Sequence, residues 1–415
     1  MVSKPIKISS SKNRQSPLSR LHPNVWILAA TSFLTDISTE MLTALLPLFL
    51  ANVLGVRTAV IGLIDGIAET TASLVKIYSG SLSDRLGKRK PLAVLGYSFS
   101  TFSKPFLYFA STWGWVLGVR FSDRVGKGIR TAPRDALLAS SAAQEQRGFA
   151  FGLHRAGDTL GAFTGIGLAA LIIWRTQSGA TQLSRLTFQT VVLASIIPAI
   201  LAVIILTLGL REVEGSKPSK AIPISLSGWN MLDRRFRLFL GVMVLFTLGN
   251  SSDSFIILRG QERGLSVLQV MGMLMTFNLV YSLLSGPAGS LSDRFGRKQM
   301  ILTGWVVYGL IYLGLAFARS GAQVWALFGL YGIFYALTEG VAKAFVADLV
   351  PAEQHGTAYG LFNAAIGITT LPASLIGGLL WQGLGAWAGF GPSAPFLFGA
   401  VLALMAGGLL RFTVK

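Results

Sequence analysis

The chain of 415 residues is 52% hydrophobic and only 13% charged, with 47 glycines and no cysteine. Soluble domains carry about 25% charged residues, so this composition excludes an ordinary soluble protein. The missing cysteines exclude disulfide frameworks, thiolate metal sites and cysteine nucleophiles together.

Residues 1–22 are polar and basic and read as a cytoplasmic tail. The first apolar run contains Asp36 and Glu40, and no small-residue cleavage site goes with it, so it reads as a retained span and not a signal peptide. A spanning helix needs roughly 20 mainly apolar residues. Runs of that kind fall near 24–54, 58–79, 92–111, 113–140, 148–174 and 187–210. After a connector rich in charge, Pro and Ser at 211–236, they resume near 238–260, 266–288, 300–318, 324–349, 356–381 and 395–412. No alternating ten-residue pattern of strands is present, which excludes a β-barrel. The expected fold is an all-α membrane protein of twelve transmembrane helices in two six-helix bundles, 23–210 and 237–415, joined by the linker 211–236.

The formal net charge of +18 would suggest nucleic acid in a soluble protein. In a membrane chain the excess of Lys and Arg on cytoplasmic segments explains it better. With the N-terminus inside, inner segments hold 22 of the 36 Lys and Arg, and the outer loops hold 6 (Arg57, Arg175, Arg185, Arg259, Arg263 and Arg319). Both termini are therefore expected in the cytoplasm, with lipid as the surrounding medium and no nucleic-acid partner.

One stretch occurs twice. Gly80–Leu92 reads GSLSDRLGKRKPL and Gly289–Ile301 reads GSLSDRFGRKQMI, 209 residues later. Each copy is a basic break between apolar runs, as a tight cytoplasmic turn would be. Phe33–Glu40 lines up with Phe246–Asp253, which sets Glu40 against Asp253, and Arg147-Gly-Phe-Ala-Phe-Gly-Leu lines up with His355-Gly-Thr-Ala-Tyr-Gly-Leu. Asp135 and Asp348 are read as closing the fourth span of each half. Six spans per half give both repeats one orientation, hence a pseudo-two-fold axis along the membrane normal.

On these residues the chain resembles a major facilitator superfamily transporter over essentially its whole length. That family's loop signature, G-x-L-a-D-r-x-G-r-k-x-x-l, is met at nearly every position by both copies. Its fourth-span Arg followed four residues later by Gly fits Arg124 and Gly128. A fifth-span antiporter signature fits in part, through Gly157, Gly161 and Gly165, with Ala162 in place of Pro. The GKGIRTAPRDALLA stretch is similar to a bacterial branch, so a bacterial inner membrane is expected. The resemblance implies a gating loop motif formed by Gly80, Asp84, Arg85, Gly87 and Lys88 with Asp135. Its second copy would use Gly289, Asp293, Arg294, Gly296 and Arg297 with Asp348. The charge relay it implies joins Asp84, Lys88 and Asp135 in one half and Asp293, Arg297 and Asp348 in the other. Gly80 and Gly87 would permit close helix approach and a sharp turn, and the basic residues also set topology.

Charges inside the spans point to function independently of that likeness. Eight are basic (Lys76, Lys104, Arg120, Arg124, Lys127, Arg130, Arg155, Lys343) and eight acidic (Asp36, Glu40, Asp65, Glu69, Asp123, Asp158, Asp253, Glu339), with His154 among them. Each would cost about 2.5–3.5 kcal/mol against lipid at mid-bilayer, so they must face a bundle interior or a watery cavity. Asp36 and Glu40 share a helix face, as do Asp65 and Glu69. Arg120, Asp123, Arg124 and Lys127 follow one stripe, and His154, Arg155 and Asp158 fall within one turn. The expected proton-coupling and cavity set is Asp36, Glu40, Glu69, Arg120, Asp123, Arg124, Lys127, His154, Arg155, Asp158, Asp253 and Glu339. A carboxyl that alternates between a low-dielectric site and a neighbouring Arg can load and release a proton. Lys76 and Arg130 read more readily as a snorkelling residue and a structural pair. Lys104, before Pro105, marks either a kink or an anion contact. The Trp residues at 26, 113, 115, 174, 325 and 381 sit near span ends, as interfacial belts do.

No glycine-rich loop ends in Gly-Lys-Ser/Thr, so nucleotide-driven pumping is not expected. His22, His154 and His355 are too scattered for a histidine metal site, and no nucleophile–base pairing is visible. No cofactor, metal or enzyme activity is expected. The reading is a monomeric, proton-coupled permease for a small-molecule substrate, with export of a metabolite or drug preferred. The rivals are uptake of an anionic solute through Arg120, Arg124, Lys127 and Arg155, and a non-transporting receptor or lipid scramblase on the same fold.

Overall fold

The computed structural model describes residues 21–142, 146–213, 233–351 and 354–413, without the side chains of Asp84, Gly148, Gly356 and Thr357. The tail 1–22 and the linker 211–236 lie outside the described residues, apart from 21–22, 211–213 and 233–236. The described chain forms twelve long helical rods and, among the described residues, no strand. They are α1 (Pro23–Val53), α2 (Thr58–Leu86), α3 (Lys90–Ser103, tightening to a 3-10 helix at Lys104–Phe109), α4 (Trp113–Ser140), α5 (Arg147–Gln177) and α6 (Arg185–Gly209). The second set is α7 (Arg234–Glu262, broken between Gly249 and Ser254), α8 (Val267–Phe295), α9 (Arg297–Phe317), α10 (Gly321–Asp348), α11 (His355–Gln382) and α12 (Ala394–Thr413). Ten of the described helices are long and apolar enough to cross a membrane. The other two rods are α3, split by its 3-10 end, and α4, which carries the densest run of charge.

Helix starts follow their capping residues. Ser266 and Gln269 form a reciprocal capping box at α8 (3.2 and 2.8 Å). Ser184 and Thr112 accept from backbone N–H groups at the starts of α6 and α4. At α3 the cap comes from further along the chain: the Glu212 carboxylate accepts from the N–H groups of Arg89 (3.0 Å) and Lys90 (2.9 Å), where the helix dipole favours negative charge.

The repeated motif is more helical than a loop. Gly80–Leu86 is the end of α2 and Gly289–Phe295 the end of α8. The turns come at Gly87 (φ +61°) and Gly296 (φ +90°), backbone angles that disfavour any side chain. The close approach expected at Gly80 is not used: a Cβ there would meet only the Ala132 Cβ at 3.4 Å, and one at Gly289 would meet open space.

Helix packing repeats between the halves. In the first, α1 packs on α5 and α6, α2 on α4, and α3 on α4 and α6; in the second, α7 packs on α11 and α12, α8 on α10, and α9 on α10 and α12. The main seams between the halves are α2 with α11 and α5 with α8, and the ends of α1 and α7 also meet. Without a hydrophobic drive between helices in lipid, close seams depend on small residues. Gly157, Gly161 and Gly165 lay α5 directly on the carbonyls of Ala29, Phe33 and Ile37 in α1, while Gly62, Gly66 and Gly378 do the same for α2 and α11. Trp26, Trp113, Trp115 and Trp174 stand exposed at helix ends, as an interfacial belt requires. Trp325 instead turns inward, its indole N–H donating to Thr276 (3.0 Å).

Candidate functional site

A cavity of about 700 Å³ lies between the halves, walled by α1, α2, α4 and α5 on one side and α7, α8, α9, α10 and α11 on the other. Its two walls differ in chemistry. The first half contributes charge (Glu40, Asp65, Glu69, Arg120, Arg124), and the second contributes rings (Phe246, Phe277, Trp305, Phe328, Phe334, Tyr335) with Asn250, Asp253, Glu339 and Lys343.

The end away from the two Gly-Ser-Leu-Ser-Asp-Arg motifs is sealed by contacts across the halves. Asn52 and Gln261 exchange side-chain amide hydrogen bonds (3.0 and 2.7 Å); they stand 209 residues apart, the same offset as the repeated motif. Thr58 donates its N–H to Gln382 (3.0 Å) and its hydroxyl to the Gly378 carbonyl (3.1 Å). Val267 donates its backbone N–H to Ala180 (3.0 Å). Just inside this seal the Asp65 carboxylate accepts from Ser252 (2.7 Å) and Ser254 (2.5 Å), at the break in α7, and lies 3.7 Å from Arg120.

Water access rises toward the motif end. The Arg120 and Asp65 side chains are 9% and 14% exposed, whereas Glu69, Lys343 and Arg155 are 45%, 52% and 58% exposed. Arg124 pairs with Glu69 at 3.2 Å and lies 4.0 Å from Asp123. At the mouth, Glu339 gathers Lys343 (3.5 Å), Arg155 of the other half (3.3 Å) and the Tyr281 hydroxyl (2.6 Å). The site is thus open to water from one side and closed on the other.

Among the described residues, Glu40 and Asp253 have no ion-pair partner. Both line the cavity, and among the described residues neither has a Lys, Arg or His nitrogen within 4.0 Å. Asp253 accepts from the Tyr335 hydroxyl (3.3 Å). The break of α7 beside it is held by ring hydroxyls: Tyr308 donates to the Gly249 carbonyl (3.0 Å) and Tyr331 to the Asn250 side chain (3.2 Å).

Of the residues expected from the sequence, Glu40, Glu69, Arg120, Arg124, Asp253 and Glu339 line this cavity, and Arg155 stands at its mouth through Glu339. Five others do not line it. Asp36 lies against Gly161 of α5, because the α1–α5 contact takes that part of the helix face. Asp123 turns behind the wall to the Ser100 hydroxyl of α3. His154 and Asp158 form a separate cluster, with the imidazole 3.5 Å from Asp158, which also accepts from Ser32 of α1. Lys127 is exposed one turn beyond Arg124 and outside the lining. Lys104 is buried and donates to Ser38 (2.8 Å) and Thr39 (3.0 Å), holding α3 to α1, where helix α3 changes to 3-10.

The motif ends behave differently in the two halves. Arg297 reaches the Ala344 carbonyl (2.9 Å), the Asp348 carboxylate and, at 3.6 Å, Asp293. In the first half Lys88 does not meet Asp135. Asp135 is taken by the adjacent Arg134 (2.8 Å), because it stands five residues before the end of α4 and not at it. Arg89 fills the place of Arg297, reaching the Ala136 carbonyl (3.2 Å) and the Ser140 hydroxyl (3.3 Å). The structural counterpart of Asp348 is therefore Ser140, and among the described side chains Arg89 meets no carboxylate where Arg297 meets Asp348. Arg85 and Arg294 are exposed; the Asp84 side chain lies outside the described residues.

The family model described as the Major Facilitator Superfamily matches residues 28–275 and 238–415. This chain belongs to the Major Facilitator Superfamily. A protein of Methanocaldococcus jannaschii described as an uncharacterised MFS-type transporter is 36% identical over 99% of this chain and 100% of its own length. A Streptococcus pneumoniae protein described as a multi-drug resistance efflux pump is 26% identical, over 74% of this chain and 76% of its own. Among solved structures, a nucleoside transporter superposes with a TM-score of 0.79 at 12% identity, covering 94% of this chain and 100% of that one. A bacterial homologue of the lysosomal transporter Spinster gives 0.73 at 17%, covering 93% and 95%. The protein is thus a multi-span membrane transporter of the superfamily, a family that is generally not enzymatic and whose membership implies a small-molecule substrate.

The ring wall and its partners were missed by the sequence reading. Phe328, Tyr331 and Tyr335 recur at helical spacing in α10, and Phe277 and Tyr281 in α8, which was the available signal. Asp65 was counted among the buried charges but not in the site, and its tie to Ser252 and Ser254 across the halves had no local signature.

Proposed function

We propose that this transporter exports a small organic solute across a bacterial inner membrane, driven by protons and working as a monomer with both termini in the cytoplasm. The two halves, 23–210 and 237–415, rock about the cavity and expose it to each side in turn. The structure then corresponds to the state open to the cytoplasm, because the motif end is the strongly basic one. The observation that carries the reading is the pair Glu40 and Asp253, cavity carboxylates on opposite halves that, among the described residues, have no Lys, Arg or His nitrogen within 4.0 Å. A carboxyl in that setting takes up a proton from one side and releases it when the surroundings change. Export is supported by the description of the 26%-identical relative as an efflux pump. Uptake of an anion is less well served, since Arg120, Arg124 and Arg155 already face Asp65, Glu69 and Glu339. The relay at Asp293, Arg297 and Asp348, with Arg89 in the other half, steadies the motif end during the movement.

The test is substrate-dependent proton flux in proteoliposomes. Glu40→Gln should reconstitute normally and still lose gradient-driven accumulation by at least about tenfold, the scale on which a general acid–base group acts. Unchanged accumulation in that variant would remove Glu40 from coupling. Rapid lipid flip-flop with no solute flux across a broad panel would make a scramblase the better reading.

A further inference from the structure

We propose that the cavity selects aromatic organic cations, holding the positive centre between Glu40 and Asp253 and the apolar body against the ring wall of the second half. This inference rests on the transport reading and names the substrate class of that same site.

The charges that line the cavity do not balance. Five acids (Glu40, Asp65, Glu69, Asp253, Glu339) face three bases (Arg120, Arg124, Lys343). Each base is already within ion-pair range of an acid: Arg120 of Asp65, Arg124 of Glu69 and Lys343 of Glu339. Within the lining itself, what remains for a ligand is negative; Lys127 and Lys104, which lie outside the lining, act on Glu40 from behind. An anion entering here would have to displace a carboxylate from an arginine, whereas a cation would complete two carboxylates that have no partner. In a site with low-dielectric walls that difference decides the sign of the cargo.

The other wall decides its shape. Phe277 and Tyr335 meet edge to face, with centroids 5.4 Å apart, and both remain partly open to the cavity. Phe246 stacks on Trp305 at 4.6 Å and tilts against Phe334 at 5.8 Å. The Tyr335 hydroxyl donates to Asp253, so one residue joins the ring wall to the unpaired carboxylate. A ring face beside an acid receives a cation twice, through the carboxylate and through the ring quadrupole. A volume of about 700 Å³ accommodates a ligand of several rings.

The test compares ions of one shape and opposite charge on the full chain purified in detergent. Tetraphenylphosphonium, tetraphenylborate and neutral triphenylphosphine oxide are titrated by tryptophan fluorescence and by thermal stabilisation. The phosphonium should bind and raise the melting temperature, and the borate should do neither. Glu40→Gln and Asp253→Asn should each weaken phosphonium binding by about tenfold or more, and Tyr335→Phe by a smaller factor. Borate binding as tight as phosphonium binding would overturn the proposal, as would phosphonium binding unaffected by both carboxylate variants. Should those variants not fold, the charge series on the unaltered protein still decides. Phosphonium bound without any proton flux would refute coupled transport and leave the cation site standing. Proton flux driven by anionic or neutral solutes alone would refute the cation site and leave coupled transport standing.

Discussion

At the scale of single residues, the buried charges divide by what they can reach. Arg259 in α7 is fully enclosed, yet it donates to the carbonyls of Leu315 (3.1 Å) and Ala316 (2.9 Å) at the end of α9, and to Glu262 (2.6 Å). It closes a helix C-terminus and leaves nothing for a ligand. Arg259→Met should cost about 2–5 kcal/mol, because it strands several buried acceptors at once. Arg259→Lys should not restore the loss, since an ammonium cannot span the same fork; the melting temperature of each purified variant measures it. Glu40 and Asp253 are the opposite case, unpaired and facing open space, and their neutral variants should fold while function changes.

At the scale of elements, two contacts depend on residues that local pattern underdetermines. The α1–α5 seam needs its three glycines: a Cβ at Gly157 would stand 2.9 Å from the Ala29 carbonyl, and one at Gly161 would overlap the Phe33 carbonyl. Gly161→Val should therefore lower stability by about 1–3 kcal/mol or more, as overpacking does. Gly152→Ala, where no heavy atom lies within 4 Å, should leave the melting temperature unchanged. At the motif ends, Arg89 makes the contacts that aligned spacing assigned to Lys88. Arg89→Ala should destabilise the first half more than Lys88→Ala in the same thermal assay; equal effects would show that the Ala136 and Ser140 contacts are idle.

At the scale of the molecule, alternation requires the sealed end to open. Asn52 and Gln261 meet there across the pseudo-two-fold axis. The chain has no cysteine of its own, so Asn52→Cys with Gln261→Cys introduces the only thiols. Cross-linking them should abolish transport in proteoliposomes, and reduction should restore it. Undiminished transport in the cross-linked protein would show that this end does not separate.

How much of this was legible before the structure follows from the range of each interaction. Twelve helical rods and the duplication were readable because the bilayer demands long apolar runs, a local property of the chain. The loop signature carried the family for the same reason. That Glu40, Glu69, Arg120, Arg124, Asp253 and Glu339 face inward also followed, since charge cannot be left in lipid. Tertiary structure alone decided which of the inward charges meet. Periodicity gives a helix face, and a helix in a bundle has several neighbours on that face, so Glu40 came to the cavity while Asp36 went to α5 and Asp123 to α3. The pairing of Arg120 with Asp65 and of Arg124 with Glu69, and the two carboxylates left over between charged and aromatic walls, arise only when both halves close around one space.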